Sequence, residues 1–513
     1  MRPFVRRLAL GLALVFAAAP AGAAPLQLEK IGGLKLGGEA AAEICSYDAA
    51  SKLLFVVNAG DAALEVVDLA DPAAPVKKTS ISLKKYGAGI NSVAVHKGLV
   101  AVAVEADPKQ EPGKVILMDL DGTVRKSFDV GALPDMVTFT PDGKYVLAAC
   151  EGEPNKDYSV DPEGSIAVIN LAKGVDAATC TMAYFHAFNA QKTQLQAKGV
   201  RISHPKATVS QDLEPEYIAV SPDSKTAYVT LQENNAIAVL DVATAKVKDI
   251  RPLGLKDWRQ AGGLDASDKD KKINIKPWPV LGLYMPDSIA AYAVKGKVYL
   301  VTANEGDSRD YDGYSDEARL GKIYLNDRLF PDATWLRRDK QLGRLKVVKD
   351  MLDTDGDGLA DRIIAFGARS FSIWDAATGA LVFDSGDQFE RIIAREVPEF
   401  FNADEKFDDR SDDKGPEPEG VAVGVVDGRT YAFVGLERQG GLMVYDVTEP
   451  AKASFVQYIN SRDYTADKKS EAAGDIAPEG VLFIAAKDSP TGQALVVTAN
   501  EGSGTVAVFA MRK

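Results

Sequence analysis

A short unit recurs along this chain, made of an acidic residue, an apolar segment, a tight turn and further apolar segments. Its clearest copy spans residues 419–446, where the turn Asp427-Gly428 follows the first segment, Glu437 follows the second and Asp446 ends the third. Turns of this composition between β-branched and aromatic segments are typical of antiparallel strands. The repeat constrains the fold strongly, because such units must pack on one another to bury their apolar faces.

The unit occurs seven times, and its first segments begin at Glu43, Asn91, Asp135, Glu216, Asp287, Glu419 and Glu479. The copies predict antiparallel sheets of four strands. The last copy has room for only three strands before Lys513, and the segment 26–36 can supply the fourth. We therefore predict an all-β fold, a seven-bladed β-propeller closed by pairing of N- and C-terminal strands. The alternatives are a β-sandwich and a pair of smaller β domains.

The N-terminus is typical of an export signal. Basic residues precede an apolar run at 8–19, and small residues follow at 21–23. We assign 1–23 to this signal, the alternative being a buried N-terminal helix, and 24–513 to a single propeller domain. No later stretch approaches the ~20 apolar residues of a membrane helix. We expect a periplasmic or secreted protein with no membrane span.

Charge and cysteine content narrow the classes of partner. A net charge of -13 and a pI of about 5.0 argue against nucleic acid and anionic membranes and favour divalent cations. Three cysteines are too few for a disulfide scaffold or a cysteine zinc cluster. Cys150 and Cys180 could form one bridge, but their spacing does not decide it. We expect a monomer.

Carboxylates recur where the first segment starts and the second ends, and antiparallel geometry puts both positions on one face. The long insertions, including 305–361, lie on the same face, where binding sites are common. The first set is Glu43, Asp135, Glu216, Asp287, Glu419 and Glu479; the second is Glu105, Glu151, Glu233, Glu305, Glu437 and Glu501. These positions predict two rings of carboxylates around one mouth of the propeller channel. The alternative is that each acid only caps a strand end.

Crowded carboxylates repel one another, and hard cations or arginines would offset the repulsion. Oxygen ligands without His or Cys suit Ca2+ best, or Mg2+. The predicted ring ligands are Glu43, Asp135, Glu216, Asp287, Glu305, Glu419 and Glu479. The arginines on this face that could hold a phosphate are Arg309, Arg369 and Arg438.

A second calcium signal lies inside the insertion, at 353–361. Oxygen-bearing residues at positions 1, 3, 5 and 9, with Gly358 at position 6, match a calcium loop. Position 12 is Ile364 in place of the usual Glu. The predicted ligands are Asp353, Asp355, Asp357 and Asp361, and the alternative is a solvated acidic turn.

Four motifs together resemble the choice-of-anchor I family: residues 303–311, 353–362, 367–375 and 418–420. That family includes mesenchyme-specific cell-surface glycoproteins linked to biomineralisation, and some atypical bacterial alkaline phosphatases carry related regions. The resemblance covers nearly the whole chain after the signal. It implies an extracytoplasmic propeller and metal binding, and it points weakly to a phosphatase.

Three functions fit these features. The first is a calcium-dependent phosphoester hydrolase acting on a phosphorylated small molecule, whose candidate catalytic residues are Glu305, Arg309, Arg369, Glu419, Arg438 and Glu479. The second is a non-catalytic calcium-binding module. The third is a propeller that docks a protein or a glycan. The sequence contains no GxSxG nucleophile motif and no GxxxxGK[ST] phosphate loop.

Overall fold

The computed structural model describes residues 26–512, so the predicted export signal at 1–23 lies outside the described part. Within that part, seven antiparallel sheets have four strands each, and we number them in chain order. The strands of sheets 1 to 3 are Cys45–Asp48, Leu53–Asn58, Ala63–Asp68 and Val76–Ser82; Gly89–His96, Leu99–Glu105, Pro112–Asp119 and Val124–Ala132; and Pro134–Phe139, Tyr145–Cys150, Ser165–Asn170 and Thr179–Tyr184.

Sheets 4 to 6 repeat this up-and-down order. Their strands are Pro215–Val220, Thr226–Leu231, Ala236–Asp241 and Lys246–Pro252; Ile289–Val294, Lys297–Asn304, Ser370–Asp375 and Leu381–Asp384; and Pro418–Val426, Arg429–Leu436, Leu442–Asp446 and Ser454–Ile459.

Sheet 7 combines the two ends of the described chain. Its first three strands are Pro478–Ile484, Leu495–Asn500 and Thr505–Arg512, and its outer strand is Gln27–Lys35. The outer strand pairs antiparallel with Thr505–Arg512, with Leu28 opposite Met511. The pairing predicted between the N- and C-terminal segments is therefore present in the structure.

The first strand of each sheet contacts the first strand of the next, and that of sheet 7 contacts that of sheet 1. Serine hydroxyls join several of these neighbours. Ser288 in sheet 5 accepts a hydrogen bond from the backbone N–H of Val421 in sheet 6 at 2.8 Å, and Ser92 accepts one from Val137 at 3.2 Å. Sheets arranged side by side around their first strands form a β-propeller.

Apolar cores lie between adjacent sheets. Between sheets 2 and 3, for example, Ala101 and Leu117 belong to one buried cluster with Val146 and Ile169. The second and third strands are buried on both faces, which explains their nearly continuous apolar sequence. The outer strands are more exposed and more polar, as in Val76–Ser82. Burial thus explains why the fourth strands are less apolar in sequence than the second and third strands.

An eighth sheet, of five strands, lies in the insertions. It joins segments on both sides of sheet 5's first two strands: Leu255–Asp257, Leu281–Leu283, Ile364–Ala365, Lys346–Val348 and Glu317–Arg319. It has its own core, which includes Trp258, Trp278, Leu320 and Leu336. Residues 305–361 are therefore a packed structure and not a simple loop.

Helices are short in the described range. The α-helices are Lys192–Lys198, Val209–Asp212, Ala333–Leu336 and Gln388–Glu396; the 3-10 helices are Ala59–Asp61, His186–Gln191, Leu320–Lys322, Pro398–Phe400, Pro450–Lys452, Glu471–Ala473 and Glu501–Ser503. Between residues 26 and 512 no helix has the length and apolar character that crossing a membrane requires. Cys45, Cys150 and Cys180 are free thiols, so the bridge considered between Cys150 and Cys180 is not formed.

Candidate metal centre

A cavity of about 140 Å³ lies where the first strands begin. Five carboxylates and one amide line it: Asp135, Glu216, Asp287, Glu419, Glu479 and Asn91. No Lys, Arg or His belongs to its wall as formed by residues 26–512. The sixth predicted inner acid, Glu43, is not on the wall, where its neighbour Ile44 lies instead. The inner ring therefore holds five of the six predicted carboxylates, and within residues 26–512 no cationic side chain shares the cavity wall with them.

A proline precedes each of the five wall acids, in the pairs Pro134-Asp135, Pro215-Glu216, Pro286-Asp287, Pro418-Glu419 and Pro478-Glu479. Proline cannot donate to the strand ladder, so it is confined to strand starts and bulges. The pairing register shifts at Asp135, Glu216, Glu419 and Glu479, as it does at Asn91. Such bulges redirect a side chain out of the normal alternation. They explain how four of the repeats turn their acid toward the same cavity, whereas Asp287 lies just before its strand Ile289–Val294.

Gly420 allows neighbouring first strands to approach one another closely. A Cβ atom at this position would lie 2.0 Å from the carbonyl oxygen of Glu479. No larger residue fits there without moving the backbone of sheet 7. The contact places Glu419 and Glu479 side by side in the ring.

Burial and like charge raise the pKa of every carboxyl in the ring. Desolvation is the largest cause, and it raises the pKa of Asp135 to about 7, with Glu153 and Glu105 adding to the effect. The pKa of Glu419 rises well above its ordinary value through desolvation and through Glu437, Asp287 and Glu305. Asp287, Glu216 and Glu479 shift in the same direction. Glu43, beside the ring, has its pKa raised to about 8 by desolvation and by Glu501.

Three of the predicted ring ligands come together more closely than the other ring ligands. Oxygens of Asp287, Glu305 and Glu419 all lie within 4.8 Å of one another. Oxygens bound to one calcium at about 2.4 Å can be separated by at most about 4.8 Å. Glu419 Oε2 is buried and has no hydrogen-bond partner in the described structure, and the same holds for Glu216 Oε2. The donor set and the unpartnered oxygens fit a hard divalent cation.

Glu305 also belongs to a second group, with Glu417 and Glu437, whose oxygens meet the same 4.8 Å limit. Here the protein supplies the positive charge: Lys414, Arg410 and Arg438 contact these carboxylates. Sequence reasoning missed Glu417 and Lys414. Glu417 stands one residue before Pro418, and Glu214 stands in the same way before Pro215, so a recurring Glu-Pro-Glu was the available signal.

Arg309 is not available to hold a phosphate at this centre. Its guanidinium is buried and donates to Glu214 Oε1 at 3.1 Å, to Ser203 Oγ at 2.7 Å and to the carbonyl of Asp212 at 2.7 Å. Arg369 is buried as well and donates to Glu390 Oε1 and to three backbone carbonyls. The candidate role of these two arginines in phosphate binding has no support in the geometry.

Arg438 differs from the other two candidate arginines. Its side chain is 40% exposed, and it pairs with Glu437 at 2.8 Å and with Glu417 at 3.6 Å. It lines a second cavity, of about 560 Å³, together with Glu437, Glu501 and Lys468. It is therefore the candidate arginine that remains able to contact a ligand.

The predicted calcium loop lies on the surface, in the insertion. Asp353, Asp355 and Asp361 place oxygens within 4.8 Å of one another, but Asp357 is not in this group. Asp353 accepts hydrogen bonds from the N–H groups of Gly356 at 2.7 Å and Gly358 at 2.9 Å, which lower its pKa. The loop thus brings three of the four predicted ligands together.

The chain was compared with known proteins. A family model described as the choice-of-anchor I domain matches residues 43–450. A mesenchyme-specific cell surface glycoprotein of Strongylocentrotus purpuratus is 32% identical over 324 residues, which are 52% of this chain and 41% of that protein. Gigasin-3a of Magallana gigas is 31% identical over 194 residues, which are 34% of this chain and 67% of that protein. The match therefore spans less than half of the Strongylocentrotus protein.

Solved structures with a similar course of the chain have low sequence identity. A Kuenenia stuttgartiensis hydrazine synthase chain is 14% identical with a TM-score of 0.48, covering 92% of this chain and 95% of that one. The Cps50 (Swd1) β-propeller domain of Myceliophteria thermophila is 10% identical with a TM-score of 0.46, covering 95% and 100%. The family match over residues 43–450 is the firm result: the chain belongs to the choice-of-anchor I domain family.

Proposed function

We propose that this protein is an exported divalent-cation-binding β-propeller, with Ca2+ as the preferred ion and the inner carboxylate ring as its principal site. The observation that carries the proposal is the group Asp287, Glu305 and Glu419, whose oxygens lie within 4.8 Å of one another and include the unpartnered Glu419 Oε2. A buried carboxylate without a counter-charge is costly. A bound cation would supply the charge that the cavity wall lacks.

Calcium suits the ring better than magnesium. Ca2+ accepts six to eight oxygens at 2.3–2.6 Å in variable geometry, whereas Mg2+ requires a near-ideal octahedron and keeps several waters. The ring offers carboxylates from separate sheets at unequal spacing around a cavity of about 140 Å³. Asp353, Asp355 and Asp361 are proposed as a second, surface calcium site.

The position of the inner carboxylate ring follows from the way the sheets are arranged. We infer that the seven four-stranded sheets of residues 26–512 are the seven blades of one ring, closed by the pairing of Gln27–Lys35 with Thr505–Arg512. In such a ring the first strands surround a central channel, so acids at their starts converge on its mouth. Ions at this mouth would join several blades and stabilise their closure.

An extracytoplasmic location agrees with this function. Residues 1–23 have the pattern of an export signal, and a relative carries the name of a cell surface glycoprotein. Extracellular calcium sites bind weakly, with Kd values of about 10⁻⁴–10⁻³ M. Sites of this affinity suit a protein that works outside the cytoplasm.

Calorimetric titration of the metal-free protein tests the proposal. We expect Ca2+ to bind and to raise the melting temperature, and Mg2+ to bind more weakly. The double variant Asp353→Asn/Asp355→Asn should lose the surface site and keep the ring site. A chelator-treated protein that binds no Ca2+ and shows no change in melting temperature would refute calcium binding at both sites.

A metal-dependent phosphoester hydrolase is the second candidate, and one observation favours it. Arg438 lies on the wall of the cavity of about 560 Å³, close to the carboxylate groups, where an exposed guanidinium could hold a phosphate. If so, p-nitrophenyl phosphate should be hydrolysed in the presence of Ca2+, and Arg438→Met should lower kcat/KM at least tenfold. Arg259→Met, at an exposed arginine outside the wall of that cavity, is the control. If the calcium-bound protein does not hydrolyse p-nitrophenyl phosphate, the hydrolase candidate is rejected and the non-catalytic calcium-binding function is retained.

A further inference from the structure

Two groups of carboxylates share one residue, Glu305. The first group, with Asp287 and Glu419, contains an unpartnered oxygen. The second, with Glu417 and Glu437, has the same spacing of oxygens. Within residues 26–512 Glu417 Oε2 also lacks a hydrogen bond, although Lys414 and Arg438 lie within ion-pair distance of it. By spacing alone each group could hold a cation, and their union would be a site for two ions. The side chains around the second group indicate that a lysine ammonium, and not a second metal ion, occupies it.

Lys414 occupies the second group. Its ammonium lies 2.5 Å from Glu305 Oε1, 3.2 Å from Glu417 Oε2 and 3.2 Å from Asp307 Oδ1. The lysine side chain is only 11% exposed. The ammonium therefore takes the central position among these oxygens.

The charges around this position match one divalent ion. Four carboxylates face it, on Asp307, Glu305, Glu417 and Glu437, and the guanidiniums of Arg410 and Arg438 pair with the last two. Without Lys414, two of the four negative charges would lack a partner. Asp307 is 58% exposed, so the position is open to ions from solvent on that side.

We infer that Lys414 fills a second cation position with its own ammonium group and so limits the shared carboxylate cluster to one metal ion. This inference rests on the proposed binding of a cation by Asp287, Glu305 and Glu419. It assigns to Lys414 the role of a resident cation that also orients Glu305, the residue common to both groups. Gln232 fixes the other side of that carboxylate by donating to Glu305 Oε2 at 2.9 Å.

The experiment is to count bound calcium in Lys414→Met. At equilibrium in dialysis against millimolar Ca2+, with the free ion in the outer solution subtracted, elemental analysis should find one more bound ion per chain in Lys414→Met than in the wild type. The double variant Lys414→Met/Glu417→Gln should return to the wild-type number, because it removes a ligand of the new site. Lys406→Met, at an exposed lysine of the same loop, should not change the count.

The outcomes separate this inference from the proposed function. A wild-type protein with no bound calcium contradicts the proposed function. A wild-type protein that binds calcium, with the same number of ions in Lys414→Met, overturns the role of Lys414. If Lys414→Met is not recovered folded in chelator, Lys414→Gln, whose amide can still donate to Glu305, is counted in its place. An unchanged count in that variant overturns the inference equally.

Discussion

Replacement of Glu419 by glutamine is expected to stabilise the metal-free protein and to weaken calcium binding about 100-fold. In the absence of metal, the Glu419 carboxylate faces Glu437, Asp287 and Glu305, and its Oε2 has no hydrogen-bond partner. Glutamine removes this charge at nearly constant volume. With metal, the same change removes one ligand charge, and the loss of one partner from a buried ion pair costs about 3–5 kcal/mol. The lower end of that range corresponds to a factor of about 100.

The stabilising effect should depend on pH. The pKa of Glu419 is higher in the folded chain than in the unfolded chain, where it is near 4.3. Between these two values the folded protein binds the extra proton, so its stability falls as pH rises. The wild-type protein in chelator should therefore lose stability from pH 5 to pH 8, in the range where Asp135, with a pKa of about 7, also ionises. Glu419→Gln should lose less.

Thermal unfolding in EDTA and in Ca2+ measures both effects. Glu419→Gln should melt at a higher temperature than the wild type in EDTA at pH 8, and the two should be closer at pH 5. Calcium should raise the melting temperature of the wild type more than that of the variant. Glu111→Gln, at an exposed carboxylate, is the matched control. If Glu419→Gln is less stable in EDTA, the acid is a structural cap and not a metal ligand.

Replacement of Arg309 by methionine is expected to destabilise the fold by about 3–5 kcal/mol. Its guanidinium lies 3.1 Å from Glu214 and 3.6 Å from Asp212, and all three side chains are buried. Methionine would leave both carboxylates in the interior without a counter-charge. The effect is on folding, because Arg309 joins the insertion to the segment between sheets 3 and 4.

Urea unfolding of the metal-saturated protein measures this effect through the transition midpoint. The matched control is Arg259→Met. That arginine is 62% exposed and pairs with Asp257 at 2.9 Å, a surface pair worth about 0–1 kcal/mol. An Arg309→Met protein with wild-type stability that had lost phosphoester hydrolysis would instead restore the phosphate-binding role.

Much of the architecture could be predicted from local patterns. The alternation of apolar segments and turns marked the strands, and the segment 26–36 was identified as the missing partner of the last sheet, which the pairing of Gln27–Lys35 bears out. The acids at strand starts were found because each repeat places them at the same position. Their convergence could be predicted because equivalent positions of a repeat occupy equivalent places in the fold. This inference does not require the contacts between distant residues to be known.

The partners of charged groups could not be predicted in this way. Arg309 and Glu214 are 95 residues apart, and Lys414 and Glu305 are 109 apart. In the sequence alone, an arginine or carboxylate that forms a structural ion pair cannot be distinguished from one that binds a phosphate or a metal. Nor did local patterns predict that the insertions form a separate five-stranded sheet, whose core contains Trp258 and Trp278.

The sequence by itself determined that acids recur at one end of repeated strands, because strand periodicity and the Pro-acid pairs are local. Only the tertiary structure decided which acids lie beside a cationic side chain. It neutralises Glu417 with Arg410 and Lys414, and it leaves Glu419 facing other carboxylates. The physical reason is that the free energy of a buried charge depends on its nearest counter-charge, and packing between sheets brings that group from a distant part of the chain.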